Sequence, residues 1–202
     1  KGQKCGTFGE IGVLSFNGNK IITSSGGGAI ITKTAAQKNK AVFLATQARD
    51  NAPHYQHSEI GYNYRMSNIC AGIGRGQMEV IDLRVSQRRA MNAFYQDLFK
   101  NHNTISVFKE PDAHYYANHW LSAILLNSYE DREALRLALE KENIESRPLW
   151  KPMHLQPIFA HYPYYGTNVA ETLFEKGLCM PSGSNLTATD LDRIAQAVTP
   201  FL

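Results

Sequence analysis

The stretch SFNGNKIITSSGGGAIIT, residues 15–32, decides the fold prediction. It overlaps the apolar run IGVLSF at residues 11–16 and ends in the β-branched run AIIT at residues 29–32, and both runs are typical of short buried strands. A loop rich in glycine and serine lies between them. Because glycines let the backbone come close to a ligand, we predict two buried strands whose connecting loop borders a binding site.

Lys20 stands in this loop, four residues after the first predicted strand. A lysine amine partly removed from water at such a place can act as a nucleophile toward an aldehyde. Ser15 lies at the strand end, where its hydroxyl is placed to bind a phosphate. From the residues alone, a lysine in such a loop is more often solvated, so both interpretations remain open.

The rest of the chain predicts interleaved helices and strands. Thr34 caps a helix over residues 34–49, and a long helical pattern from residue 68 to about residue 100 should bend or break near Gly72, Gly74 and Gly76. These glycines also suggest tight packing against another helix or subunit. From about residue 85 we predict a small α/β or α+β domain, with strands at 105–108, 119–126 and 179–180 and helices at 131–142, 169–176 and 190–198.

Composition narrows the class of protein. The chain has 202 residues, of which 43% are hydrophobic and 19% charged, and its net charge is +3. This balance argues against disorder and requires no nucleic-acid or membrane partner. No apolar run approaches the roughly 18 residues of a transmembrane helix, and no secretory signal opens the chain. Three distant cysteines suggest reduced thiols, so we expect a cytoplasmic protein without a metal site.

Three groups of residues have both a functional and a structural interpretation. A histidine pair suggests metal ligands or, more simply, a polar loop, and an arginine group suggests a nucleic-acid patch or a solvated helix face. A tyrosine cluster suggests stacking on a base or ordinary surface packing. The structural interpretation is favoured for each of the three groups, which are His54 with His57, then Arg84 with Arg88 and Arg89, and finally Tyr162 with Tyr164 and Tyr165.

Four motifs, in the right order and spacing, resemble the DegT/StrS-type sugar aminotransferases over essentially the whole chain. Besides residues 15–32 they are GYNYRMSNICAGIGRGQME at 61–79, ESRPLWKPMHLQPIF at 145–159 and KGLCMPSGSNLT at 176–187. Four segments are similar in sequence to bacterial enzymes that build di-N-acetylbacillosamine and related 4-amino-6-deoxy sugars. They are NGNKIITSSGGG, TQARDN, GYNYR and RPLW-x-x-MH. Ser25 replaces a glutamate found in most of the family, as in that subgroup.

The resemblance implies an α/β fold of type I, which uses pyridoxal 5′-phosphate. Residues 1–85 would be the end of the large cofactor domain and residues 86–202 the small carboxyl-terminal α+β domain. Lys20 would form the Schiff base with the cofactor and later carry a proton. Ser15 would bind the cofactor phosphate, and so would Asn63 from the neighbouring subunit, which implies a homodimer with shared active sites. The sugar-nucleotide side would include Arg65, Arg147, Trp150 and His154.

The implied reaction moves an amino group, with L-glutamate as the expected donor, to a nucleotide-linked 4-keto-6-deoxy sugar for a surface glycan or glycoprotein. The family chain is roughly twice as long, and its amino-terminal half carries an aspartate for the pyridine nitrogen. We therefore expect the intact protein to transaminate and this chain alone to be inactive. One alternative is a non-catalytic dimerising fragment or a degenerate relative. Another is a dehydratase of the same fold, which Lys20 argues against because the known dehydratases have a histidine at this position.

Overall fold

The computed structural model describes residues 1–202, which divide into two units, Lys1–Asp82 and Leu83–Leu202. In the first unit, the two predicted strands are confirmed as β1, Ile11–Ser15, and β2, Gly28–Thr32. They pair antiparallel, with Val13 opposite Ile30 and Ser15 opposite Gly28. Glycine is required at position 28 because a Cβ there would collide with the Leu14 carbonyl oxygen.

The prediction that β1 and β2 are buried is wrong for this chain. Val13 is 74% exposed and Ile30 56% exposed, and Gly12 is the only buried residue in the two strands. The strands form a two-stranded sheet and pair only with each other. Their apolar composition therefore indicates strands that require a covering layer, which the chain itself does not supply.

The first helix, α1, spans Ala35–Ala45 and begins at the predicted cap, where Thr34 and Gln37 form a capping box. It ends four residues earlier than predicted because Gln47 and Ala48 adopt positive φ angles of 67° and 49°. This turn brings the backbone of residues 44–48 against Gly61. A Cβ on Gly61 would lie within 2.7 Å of three backbone atoms of that segment, so the position admits only glycine.

The long helical pattern breaks after its glycines, not at them. Helix α2 spans Asn68–Met78 and α3 spans Ile81–Phe99. The break forms because the backbone N–H groups of Glu79 and Val80 donate to carbonyls three residues earlier, as in a 3-10 turn. No atom lies within 4 Å of a Cβ built on Gly72 or on Gly76. A Cβ on Gly74 would lie 3.7 Å from the Ser24 side chain, so close neighbours within the chain are absent only at Gly72 and Gly76. Packing of these glycines against another subunit stays a prediction.

The second unit is an antiparallel sheet with helices, which confirms the predicted α+β character. Its strands have the order β3-β4-β6-β5 and are β3, Ser106–Val107, β4, Ser122–Leu125, β5, Arg147–Pro148, and β6, Gly177–Met180. The predicted strand at 119–126 begins three residues late because His119 has a φ of 46°, which is incompatible with extended backbone. The further helices are α4, Tyr129–Lys141, α5, Val169–Lys176, and α6, Ala188–Val198.

One apolar core joins this sheet to its helices. Leu135 and Leu139 lie one turn apart on α4 and are fully buried, as their spacing predicted. Ile124 and Leu178, on the paired strands β4 and β6, are fully buried in the same cluster. Tyr95 is buried as well, and its hydroxyl donates to a backbone carbonyl oxygen at 2.7 Å. Burial raises the pKa of Tyr95, so the neutral phenol serves as a core residue.

Two side-chain caps fix where α4 and α6 begin. Ser128 accepts from the Asp131 N–H, and Thr187 forms a capping box with Asp190. The predicted helix starts at 131 and 190 are therefore two residues too late. Each cap satisfies backbone N–H groups that would otherwise lack a partner at the helix start.

Arg88 and Arg89 are half-buried anchors, so the predicted solvated helix face is wrong for these two residues. Arg88 donates to the Trp120 carbonyl oxygen at 2.8 Å, and burial lowers its pKa. Arg89 pairs with Glu110 at 2.7 Å, and the His119 ring lies 3.2 Å from the other Glu110 oxygen. Arg89, Glu110 and His119 form what we call the Glu110 cluster, which ties α3 to the loop before β4.

Several features of the chain concern its environment. No helix has both the length and the apolar character needed to cross a bilayer. No three His, Cys, Asp or Glu side chains lie together as metal ligands do. Cys5 is exposed and Cys179 is buried, and burial raises the pKa of the Cys179 thiol. The three cysteines are therefore separate thiols.

The α4 core face provides a stability prediction. Replacing Leu135 by Ala should lower the free energy of unfolding by about 2–5 kcal/mol because it leaves a cavity in a fully buried site. Leu137→Ala, on the same helix but 43% exposed, is the matched control and should change it by less than about 1 kcal/mol. Urea unfolding followed by tryptophan fluorescence measures both, and equal losses would contradict this packing.

The Glu110 cluster provides a pH prediction. Hydrogen bonds from Arg89 and from backbone N–H groups, with the nearby His119, lower the pKa of Glu110 from 4.5 to about 2. A carboxylate whose pKa is lowered in the folded state stabilises the fold at any pH above its unfolded-state pKa. This stabilisation is lost as the pH falls from 4.5 toward 2. Glu110→Gln should lose stability at neutral pH and show a shallower acid transition. The exposed Glu145, changed to Gln, should leave the transition as it is.

Candidate active site

The loop that carries Lys20 is closed by the carbonyl oxygen of Phe16. This oxygen accepts from the Ser24 N–H at 3.0 Å and from the Thr23 hydroxyl at 3.1 Å, while the Phe16 N–H donates to Gly27 at 3.0 Å. We call residues 16–27 the Lys20 loop. Its base is firmly packed because Ser24 is fully buried and Ile22 is 8% exposed. The loop therefore has a defined shape even though the strands beside it are exposed.

Asn17 connects the two predicted cofactor residues of this loop. Its carbonyl oxygen accepts from the Lys20 N–H at 3.1 Å, and its own N–H donates to the Ser15 hydroxyl at 3.4 Å. Lys20 is half-buried and Ser15 is exposed. A turn thus holds the backbone of the lysine and the hydroxyl of the serine at one end of the hairpin, next to each other along the chain.

The turn before β2 contains Ser25, the residue that the resemblance places where a glutamate is usual. Ser25 has a φ of 71° and Gly27 a φ of 87°, both in the left-handed region. The Ser25 N–H donates to the Thr23 hydroxyl at 2.9 Å, and the Ser24 hydroxyl donates to Gly26 at 2.6 Å. These bonds stabilise the turn through the backbone and neighbouring hydroxyls. The side chain at position 25 remains exposed.

Met66 brings the second motif against the Lys20 loop. A Cβ on Gly27 would lie 2.9 Å from the Met66 methyl carbon, so the methionine packs directly over this glycine. Asn63 and Arg65, just before Met66, are both exposed. Asn63 forms a backbone bridge with Thr46, which fixes where its side chain leaves the chain. The structure therefore joins the segment of Asn63 and Arg65 to the loop of Lys20 through packing.

His154 is held from two sides within the second unit. Its ring stacks on Tyr164 with centroids 3.7 Å apart, and its Nε2 lies 2.9 Å from a Glu171 carboxylate oxygen. His154 lies in the 3-10 turn Met153–Leu155, whereas Glu171 lies on α5. This arrangement fixes the plane of the ring and assigns one of its nitrogens to Glu171.

Trp150 and Arg147 are exposed in the same unit. Trp150 is 66% exposed, and its ring centroid lies 6.0 Å from that of Trp120. Arg147, on β5, forms an ion pair with Glu145, and both side chains are more than 70% exposed. An ion pair as exposed as this contributes little to stability, so Arg147 can exchange its partner for an anionic ligand.

Sequence reasoning missed two residues that contact the predicted ones, Trp120 and Glu171, and named Tyr164 only as a member of the tyrosine cluster. A signal existed for Trp120, since the chain has only two tryptophans, and for Tyr164, which belongs to the tyrosine cluster. Glu171 had none, because it meets His154 only through folding. The histidines of the polar loop have structural partners, since His57 bonds the Gln47 carbonyl oxygen at 2.8 Å and His54 bonds Gln56 at 3.2 Å.

The residues near the hairpin suit a phosphorylated aldehyde. A lysine amine is the group that condenses with an aldehyde, and a serine hydroxyl and an asparagine amide are neutral donors to phosphate. Lys20, Ser15 and Asn63, which all belong to the first unit, provide these groups. The donor chemistry therefore fits pyridoxal phosphate.

Comparison with known proteins agrees with this chemistry. EpsN of Bacillus subtilis (strain 168), provisionally named a pyridoxal phosphate-dependent aminotransferase, is 45% identical over 98% of this chain and 52% of its own. GDP-perosamine synthase of Escherichia coli O157:H7 is 34% identical over 100% of this chain and 54% of its own. The aminotransferase TlmJ of Streptoalloteichus hindustanus matches in fold with a TM-score of 0.90 at 21% identity, over 99% of this chain and 54% of its own.

The chain thus spans about half the length of the relatives that it matches. Residues 1–199 match the model of one family of proteins, over nearly the whole chain. The chain belongs to the DegT/DnrJ/EryC1/StrS aminotransferase family.

Proposed function

We propose that this chain is the Lys20-bearing half of a pyridoxal phosphate-dependent sugar-nucleotide aminotransferase. The enzyme moves an amino group from an amino acid, with L-glutamate as the donor, to a nucleotide-linked 4-keto-6-deoxy sugar for a surface glycan or glycoprotein. The observation that carries this proposal is the closed Lys20 loop, in which Asn17 bonds both the Lys20 backbone and the Ser15 hydroxyl. Membership of the family supports it.

In this proposal each residue near the hairpin has one role. Pyridoxal phosphate, when bound, supplies an aldehyde and a ring that takes up the electrons of a carbanion. Lys20 holds the cofactor through its amine, and the freed amine then takes the proton from Cα of the amino donor. The Ser15 hydroxyl donates to the cofactor phosphate. The fixed Lys20 loop keeps amine and hydroxyl in place, which lowers the entropic cost of reaching the reactive geometry.

The sugar-nucleotide side is assigned to residues of the second unit and to Arg65. The exposed Arg147 offers a guanidinium for a diphosphate, and His154, fixed by Tyr164 and Glu171, offers its remaining ring nitrogen. Trp150 offers an exposed ring. The name of GDP-perosamine synthase supports a nucleotide-linked sugar as the acceptor class.

The proposed assembly is a cytoplasmic homodimer in which Asn63 of one subunit donates to the cofactor phosphate of the other. Asn63 is exposed, so its amide is accessible to a second copy. We assign residues 1–85 to the end of the large cofactor domain and residues 86–202 to the small domain. A second candidate function is that of a non-catalytic dimerising fragment or a degenerate relative.

Covalent labelling tests the role of Lys20. The chain is expressed together with the part of the family fold that its full-length relatives have and this chain lacks. The product is mixed with pyridoxal phosphate, reduced with borohydride and digested for peptide mapping. We expect the label on the Lys20 peptide and its loss in Lys20→Ala, together with transaminase activity. Lys33→Ala, which removes an exposed lysine paired with Glu10, is the matched control and should retain both.

The same assay separates the two candidate functions. The 202-residue chain alone should not turn over, and sustained turnover by it would overturn that expectation. Label spread over several lysines, or unchanged activity in Lys20→Ala, would refute the catalytic role and favour the non-catalytic candidate.

Subunit mixing tests the shared site. The Lys20→Ala and Asn63→Ala variants, each expressed with the part of the family fold that the 202-residue chain lacks, are unfolded together and refolded as mixed dimers. If Asn63 acts on the partner's cofactor, each mixed dimer contains one complete site, because the intact lysine and the intact asparagine come from different subunits. We expect the mixture to be more active than either variant alone. A mixture no more active than the Asn63→Ala variant would place Asn63 in the site of its own subunit.

A further inference from the structure

The short segment that carries His154 has a well-defined backbone. The Leu155 N–H donates to the Pro152 carbonyl oxygen and the Gln156 N–H to the Met153 carbonyl oxygen, both at 3.0 Å. Pro152 stands directly before the 3-10 turn, and its ring restricts the backbone at that point. The His154 side chain is only 17% exposed. The imidazole therefore starts from a fixed backbone and is largely enclosed by its neighbours.

Tyr164 provides the surface on which the His154 ring rests, and it is itself held by its own turn. The two ring planes are 17° from parallel. The Tyr164 hydroxyl donates to the Thr167 carbonyl oxygen at 2.7 Å. A Cβ built on Gly166 would lie 2.6 Å from that hydroxyl oxygen and 2.9 Å from the ring carbon that carries it. Glycine at position 166 therefore leaves the room that Tyr164 needs to reach this place against His154.

Glu171 holds the same ring through one nitrogen. Its Oε1 lies 2.9 Å from the His154 Nε2. Glu171 lies in the first turn of α5, where the helix dipole favours a negative charge. An ionised carboxylate can only accept hydrogen bonds, so the proton of this contact belongs to Nε2. When the imidazole is neutral, Nδ1 then has a lone pair and no proton.

We propose that Glu171 is a positioning residue, which sets the tautomer of His154 and thereby makes Nδ1 a hydrogen-bond acceptor. This proposal rests on the proposed function and deepens it, because it states which chemical group of the substrate His154 suits. A phosphate oxygen is itself an acceptor, whereas a hydroxyl group can donate. Nδ1 therefore suits a hydroxyl group of the sugar, and the diphosphate is left to a cation such as Arg147. Without Glu171, both tautomers of the ring become accessible.

Nitrogen NMR of the 202-residue chain tests the tautomer directly. The histidines are isotopically labelled, and the His154 signals are identified by their loss in His154→Gln. Spectra are recorded at a pH at which the ring is neutral. We expect His154 only with its proton on Nε2 and slow exchange of that proton with water, whereas Glu171→Ala should admit the second tautomer and exchange the proton faster. A proton on Nδ1 in the unchanged chain, or an identical His154 spectrum in Glu171→Ala, would overturn the proposal.

Matched variants separate the contact from general effects of charge and packing. Glu175→Ala removes an exposed carboxylate one turn further along α5 and should leave the His154 spectrum as it is. Tyr164→Phe retains the stacked ring and should keep the Nε2–H tautomer, whereas Tyr164→Leu removes the ring and should shift the His154 ring signals. Circular dichroism checks the fold of each variant. A change in Glu175→Ala as large as that in Glu171→Ala would contradict the specific role of Glu171.

Kinetics test the consequence for the substrate. The chain is expressed together with the part of the family fold that it lacks, and GDP- and UDP-linked 4-keto-6-deoxy sugars serve as acceptors with L-glutamate as the donor. Glu171→Ala should lower kcat/KM for the acceptor about threefold to tenfold, the loss expected for one hydrogen bond, and leave kcat/KM for L-glutamate unchanged. Equal losses for both substrates, or none, would contradict the role.

The two measurements also distinguish a failure of this proposal from a failure of the proposed function. Inactivity of the assembled protein with every acceptor would refute the proposed function. The tautomer measurement needs neither cofactor nor sugar, so it would still decide whether Glu171 positions His154.

Discussion

The carbonyl oxygen of Phe16 is the point on which the proposed chemistry depends. It accepts from both the Ser24 N–H and the Thr23 hydroxyl, so one acceptor closes the loop that carries Lys20. The strands on either side are largely exposed, and packing by β1 and β2 alone would leave the lysine poorly placed. The buried Ser24 and the methionine over Gly27 supply the missing order. A catalytic lysine needs this fixed backbone because reaction rates depend on orientation.

The second unit holds several surface side chains in fixed positions. Its core of Leu135, Leu139, Ile124 and Leu178 is fully buried and gives the sheet and helices a stable frame. From this frame, separate elements hold His154 between Tyr164 and Glu171, and the Glu110 cluster holds the backbone before β4. Rigid support of this kind places polar and aromatic groups for a ligand at little further entropic cost.

The sequence predicted local structure well where one residue type determines it. The Thr34 cap, the Leu135–Leu139 face and the glycine-rich turn follow from backbone sterics and helical periodicity. It failed where the outcome depends on distant partners. Arg88 and Arg89 look like a solvated face in sequence, yet their carbonyl and carboxylate partners lie more than 20 residues away. Exposure of β1 and β2 was equally invisible, because apolar strands indicate that a cover is needed and not whether the chain provides it.

The central claim is that the Lys20 loop places one amine where a phosphorylated aldehyde binds. Its most direct test is a crystal structure of the chain together with the part of the family fold that it lacks, from crystals grown with pyridoxal phosphate. We expect a covalent bond between the Lys20 Nζ and the cofactor, and the cofactor phosphate within hydrogen-bond distance of the Ser15 hydroxyl. The Phe16 carbonyl oxygen should still accept the hydrogen bonds that close the loop. A cofactor attached to another lysine, or a Lys20 amine in bulk solvent away from it, would contradict the account.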